Sequence, residues 1–168
     1  QEGGGSWLKA IARDRAEVTL LRARIAHASS YDPAVHSNGG QAIVFFDGYC
    51  GLCNGFVDRL LIWDKDHTLR FSPLQGDTAG RILPAPLRQD LGTVVLAVDD
   101  QIHTRSSAAL RTLMLLGGGW KLAAVFLLVP PFLRNAVYDL IARNRYQWFG
   151  KHDACRIPSH EERSLFLP

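Results

Sequence analysis

Two cysteines, Cys50 and Cys53, follow an apolar, β-rich run, Ile43-Val44-Phe45-Phe46, and an Asp47-Gly48 turn. An amphipathic helical pattern begins where the first cysteine stands. That placement is what a dithiol redox pair needs. The first turn of a helix carries backbone N–H groups with no intrahelical partner and the positive end of the helix dipole. Both favour a thiolate over a thiol. Spacing of three residues at that turn leaves the sulfurs close enough to bridge without unwinding the helix. Cys50 is expected to be the nucleophile and the more exposed thiol. Cys53, set deeper, is expected to displace substrate from the mixed disulfide as the resolving thiol. Gly51-Leu52 brings no charge or ring, so any lowering of the Cys50 pKa must come from helix-end amides and neighbours.

Other side chains admit more than one role. Asp47 lies three residues before Cys50. It can relay a proton during resolution, or fix the loop by accepting backbone N–H bonds. Cys155 reads either as a third redox cysteine or as a small core residue. The stretch His152-Asp153-Ala154-Cys155 offers a zinc alternative, in which Cys50, Cys53, His152 and Cys155 form a Cys₃His set. Arg143 and Arg145 suit an anion, or are solvated charges at a helix end. The dithiol reading itself calls for no cofactor and no metal.

The elements that must hold these groups follow from periodicity and breakers. Residues 1–6, Gln-Glu-Gly-Gly-Gly-Ser, read as a tag or linker remnant. Residues 7–41 read as an amphipathic helix, Trp7 to Ala28, and a linker, Ser29 to Gln41. The helix stripe of Trp7, Ile11, Val18, Leu21 and Ile25 is expected to dock on its own domain or a second copy. The expected groove lies among the helices between Trp120 and Tyr146. Residues 42–168 form the main domain: strand Ala42–Phe46, helix Gly51–Lys65, strand Thr68–Ser72, and a short or broken helical stretch Asp77–Asp90, which carries Pro84 and Pro86. A hairpin of Thr93–Val98 and Gln101–Thr104 turns at Asp99-Asp100. A helix capped by Ser106 or Ser107 runs to Leu116. Beyond the Gly117–Gly119 break, helices are expected over Trp120–Val129 and Phe132–Tyr146. The tail from Gln147 is expected to be irregular.

These motifs resemble the DCC family of thiol–disulfide oxidoreductases within the thioredoxin-like superfamily. The likeness rests on Phe46-Asp47-Gly48-Tyr49-Cys50-Gly51-Leu52-Cys53-Asn54 and on Tyr138-Asp139-Leu140-Ile141-Ala142-Arg143-Asn144-Arg145-Tyr146, followed by Phe149-Gly150, Cys155 and Pro158. Thr104 to Leu110 also matches the family's helix start. The resemblance covers residues 42–158. It agrees with the α/β fold that the element order itself gives, a thioredoxin-like βαβ-α-ββα core with extra C-terminal helices; the N-terminal helical extension is read from periodicity alone. The resemblance implies a substrate that is a disulfide-containing protein or a small thiol, and a separate electron donor. One departure stands out: ordinary thioredoxins carry a cis-proline before the hairpin strand, where this chain reads Asp90-Leu91-Gly92-Thr93.

Composition agrees and sets bounds. The 168 residues suit one domain with an appendage. A net charge of +3 from interspersed residues gives no nucleic-acid signature. Three cysteines are too few for a disulfide scaffold, and their use in a Cys-x-x-Cys suggests a reducing, cytoplasmic setting. No secretory signal pattern is visible in these residues. The apolar run Leu122–Leu133 falls short of the ~20 residues a spanning helix needs, so it reads as a core or docking helix, with peripheral membrane contact the lesser alternative. The second functional reading, from another class, is a binding or adaptor module that keeps the fold and recruits a partner through the Trp7–Ala28 helix.

Overall fold

The computed structural model describes residues 42–98 and 101–168. The expected N-terminal remnant, helix and linker, and the Asp99-Asp100 turn, lie outside the described residues.

The β-rich run forms β1, Ala42–Phe46, which is buried along its whole length. A strand buried on both faces must be central, and it is. The sheet order is β2-β1-β3-β4, with β2 Leu69–Pro73, β3 Val95–Val98 and β4 Gln101–Thr104. β1 pairs parallel to β2 and antiparallel to β3, which closes the hairpin with β4. The Cβ alternation of a strand then divides the core in two. Ala42, Val44 and Phe46 pack with Leu69, Phe71 and Leu96 under α1 (Gly51–Trp63) and α4 (Arg105–Leu115). Ile43 and Phe45 pack with Val95 and Ala97 under α2 (Asp77–Ile82). This is the mixed α/β, thioredoxin-like arrangement expected from the motifs.

Local chemistry sets the boundaries. Pro84 divides the stretch after β2 into α2 and α3 (Ala85–Gln89), as its missing N–H requires. The buried Asp64 ends α1 and starts β2, accepting from Thr68 N at 3.0 Å and Leu69 N at 2.8 Å.

Three expectations are corrected. α4 begins at Arg105, with Thr104 at its N-cap; Ser106 instead donates its hydroxyl to Asn135. The stretch Gly118–Leu128 is a 3₁₀ helix rather than an α-helix, and none of it is buried. The last helix, α5, is longer than expected, Pro131–Phe149, because the chain continues to the left-handed Gly150 (φ +77°) before it breaks. Beyond α5 the tail is irregular, as expected, apart from a 3₁₀ turn at Glu162–Leu165, and it is tied down: Phe166 bridges Phe71, and Leu167 N donates to Phe71 O at 2.7 Å. Among the described residues no single helix is long and apolar enough to cross a membrane.

Candidate active site

The chain leaves β1 at Asp47, turns through Gly48-Tyr49, and enters α1 at Cys50. Cys50 is the N-cap residue, with extended φ −87° and ψ 121°. In that conformation its side chain folds back on the first turn, as a capping serine would. Its Sγ accepts the Cys53 N–H at 3.3 Å. The Cys53 thiol donates to the same sulfur, and this bond is the largest influence on it. Together with the Cys53 amide and the nearby Arg145 charge it outweighs burial. The Cys50 pKa falls from 9.0 to about 6. Cys53 moves the opposite way, since ionising it would break the bond and set two anions side by side in a partly desolvated place. These opposite shifts favour a thiolate at Cys50 and a thiol at Cys53 when the pair is reduced. Iodoacetamide labelling of Cys50, followed by peptide mapping, is expected to show a rate that rises with pH around a midpoint near 6. At neutral pH roughly nine-tenths of Cys50 would be thiolate. A midpoint near that of an ordinary thiol would contradict the assignment.

Exposure runs opposite to expectation. Cys50 is fully buried, and Cys53 is half-buried. The cause is the chain after α5, which crosses the start of α1. Gly51 N donates to Gly150 O at 3.2 Å, Cys50 forms an antiparallel bridge with Lys151, and His152 N donates to Tyr49 O at 2.8 Å. Gly51 permits this approach: a Cβ there would stand 2.1 Å from Phe149 O. Cys50 is thus the more ionised thiol and also the covered one.

Asp47 is fully buried and saturated with donors. Its Oδ1 accepts Tyr49 N at 3.1 Å and Gln75 Nε2 at 3.0 Å. Its Oδ2 accepts Arg145 Nη2 at 3.3 Å and the Tyr146 hydroxyl. None of these four bonds reaches a cysteine. The arrangement fixes the loop, and the carboxylate charge also opposes ionisation of both Cys50 and Cys53. Arg145 is 8 % exposed, so the solvated reading fails for it, while Arg143 stands in solvent. Burial, with the Asp47 bond second, pushes the Tyr146 hydroxyl pKa up, so it remains a donor. Gln75 and Tyr146 were not singled out as site residues in the sequence. The adjacency of Arg145 and Tyr146 within one motif was the available signal.

Cys155 packs against the loop from the side of Gly48, where a Cβ would lie 2.2 Å from its Sγ. Burial pushes its thiol pKa up, the opposite of an activated nucleophile. The expected zinc alternative is not assembled. Among the described residues no three Cys, His, Asp or Glu side chains gather closely enough for a metal ion. His152 points into solvent and Cys155 sits on Gly48, so neither joins Cys50 and Cys53.

A four-stranded mixed sheet with a Cys-x-x-Cys at the N-terminus of the helix after its central strand defines the class: a thioredoxin-like dithiol domain. Residues 44–151 match the family model for DCC1-like thiol-disulfide oxidoreductases, and the chain belongs to that family. It is 39 % identical over 128 residues to the uncharacterized protein YuxK of Bacillus subtilis, covering 75 % of this chain and 93 % of that one. It is 34 % identical over 120 residues to a chloroplastic DCC family protein of Arabidopsis thaliana, covering 70 % of each. No solved structure matches the chain.

Proposed function

We propose that this chain reduces or exchanges disulfides through the Cys50–Cys53 pair, with Cys50 as nucleophile and Cys53 as resolving thiol. The observation that carries the reading is the Cys53 amide donating to the Cys50 sulfur at a helix N-cap, with the Cys53 thiol three residues on in the first turn. The Cys50 thiolate attacks one sulfur of a substrate disulfide. The substrate S–S bond breaks, the departing thiolate takes a proton from solvent, and a mixed disulfide forms on Cys50. The Cys53 thiol then loses its proton and attacks the Cys50 sulfur. The second substrate sulfur leaves and is protonated. Two electrons and two protons have passed to substrate, and the chain holds a Cys50–Cys53 disulfide that a separate thiol donor reduces.

The substrate class is a protein disulfide or a low-molecular-weight disulfide. Asp47 acts as a positioning residue: it holds the Gly48-Tyr49 turn that delivers Cys50 to the helix end. Arg145 reaches Asp47 from α5 and offers a positive charge to the Cys50 thiolate.

Trapping tests the two-step scheme. A Cys53→Ser variant is expected to accumulate mixed disulfides through Cys50, because attack proceeds and resolution does not. Non-reducing mass spectrometry after exposure to a small disulfide reads this directly. Wild-type turnover with no trapped adduct on the variant would refute the order of attack.

A further inference from the structure

The outward face of the 3₁₀ segment Gly118–Leu128 and of helix α5 as far as Val137 carries none of the residues of the dithiol site. The only buried residue of α5 is a charged one, Arg145, and the 3₁₀ segment has none. Large apolar side chains face outward instead: Leu122 is 72 % exposed, Phe126 62 % and Leu128 84 %. Phe132, Leu133 and Val137 continue the surface past Pro130-Pro131, at least half exposed each. The two helical segments meet at a bend of 110°, so they form a two-armed ledge rather than one long rod. Monomeric proteins seldom leave contiguous apolar area of this kind in water.

Charge selects the occupant. From Gln101 to Tyr138 the sequence contains no Asp or Glu, and Arg111 and Lys121 stand exposed there, while Arg105 is paired with Asp139 at 3.6 Å. A second copy docking on this ledge would bring the same cations. The chain's own Trp7–Ala28 segment carries Lys9, Arg13, Arg15, Arg22 and Arg24 against Asp14 and Glu17, so it too is net positive. An anionic lipid surface answers both properties: its acyl region takes the apolar side chains, and its headgroups take the cations. A bent, amphipathic pair too short to span suits a position in the interface plane.

We infer that the ledge from Gly118 to Val137 seats the domain on an anionic bilayer as a peripheral, non-spanning contact. Phe126 and Leu128 are the deepest apolar contacts. Trp148 and Phe149, also exposed, lie at the end of the same helix, where the chain begins its crossing of α1. The dithiol would then work close to the lipid surface.

Vesicle flotation of the full chain tests this. Vesicles of phosphatidylglycerol with phosphatidylcholine are expected to bind about ten-fold more protein than pure phosphatidylcholine, with the gain lost at high salt. A Phe126→Glu/Leu128→Glu double variant is expected to stay unbound while keeping the wild-type melting profile, because both positions lie in solvent. Lys121→Glu, which leaves the apolar ledge whole, is expected to weaken only the anionic preference. The inference is overturned if wild type binds neither vesicle, or if the double variant floats as wild type does. It is also overturned if light scattering shows a dimer that the double variant dissociates, since a second copy then covers the ledge. A photo-crosslinker at position 126 that captures residues 7–28 of the same chain would overturn it in favour of self-docking.

Discussion

Replacing Asp47 with alanine is expected to destabilise the domain by about 3–5 kcal/mol, the range for breaking a buried ion pair by removing one partner. The carboxylate is wholly buried, and four donors converge on it: Tyr49 N, Gln75 Nε2, Arg145 Nη2 and the Tyr146 hydroxyl. Its removal leaves the Arg145 charge almost enclosed, with a side chain 10 % exposed, and without its counter-ion. Retained contacts to Leu91 O and Ala142 O satisfy some of its N–H groups but not its charge. Denaturant unfolding measures the loss. The milder Asp47→Asn change keeps the shape and removes the charge. Because that charge opposes ionisation of Cys50, the labelling midpoint of this variant is expected to move below that of wild type. A loss under about 1 kcal/mol for alanine would mean that Asp47 is a surface-like pair after all.

The second large effect belongs to Gly51. An alanine Cβ there would lie 2.1 Å from the backbone oxygen of Phe149, and a backbone atom cannot swing aside as a side chain can. The crossing segment Gly150–His152 must lift, at a cost of about 1–3 kcal/mol in stability. The same shift uncovers Cys50, so its labelling by iodoacetamide at saturating pH is expected to accelerate. A disulfide must reach the thiolate along the line of its own S–S bond, and Cys50, bridged to Lys151 of the crossing segment, is fully buried. Turnover with a bulky protein disulfide should therefore gain more than turnover with a small one. Unchanged labelling together with reduced stability would show that the cover does not limit access.

The parts of this site that were legible in the sequence are local. An apolar run, a turn and two cysteines at a helix start place β1, the loop and the dithiol without any distant contact. The hairpin and the proline-divided helices follow from composition at single positions. What escaped is long-range. Asp47 and Arg145 are separated by 98 residues, and nothing in the periodicity around Arg145 marks it as the one buried residue of α5. The exposure order of the thiols was reversed for the same reason: the segment that covers Cys50 arrives from a part of the chain where turns and charges read as an irregular tail. At Gly118–Leu128, apolar content suggested a packed helix. Composition reports how much a segment avoids water, and does not say what it meets.

The tail has a consequence beyond the site. β2 is an outer strand of the sheet, and such strands carry unpaired backbone groups that invite another chain to add on. Phe166 and Leu167 occupy that position beside Phe71, and Pro168 O accepts Thr78 N at 2.7 Å. Phe166 also lays its ring on Phe71 at 5.5 Å between centroids, with the Arg156 guanidinium over it at 4.9 Å. Phe166 and Leu167 thus cover part of that outer edge. A chain shortened before Phe166 would keep its dithiol chemistry intact and still be prone to aggregate through the uncovered strand.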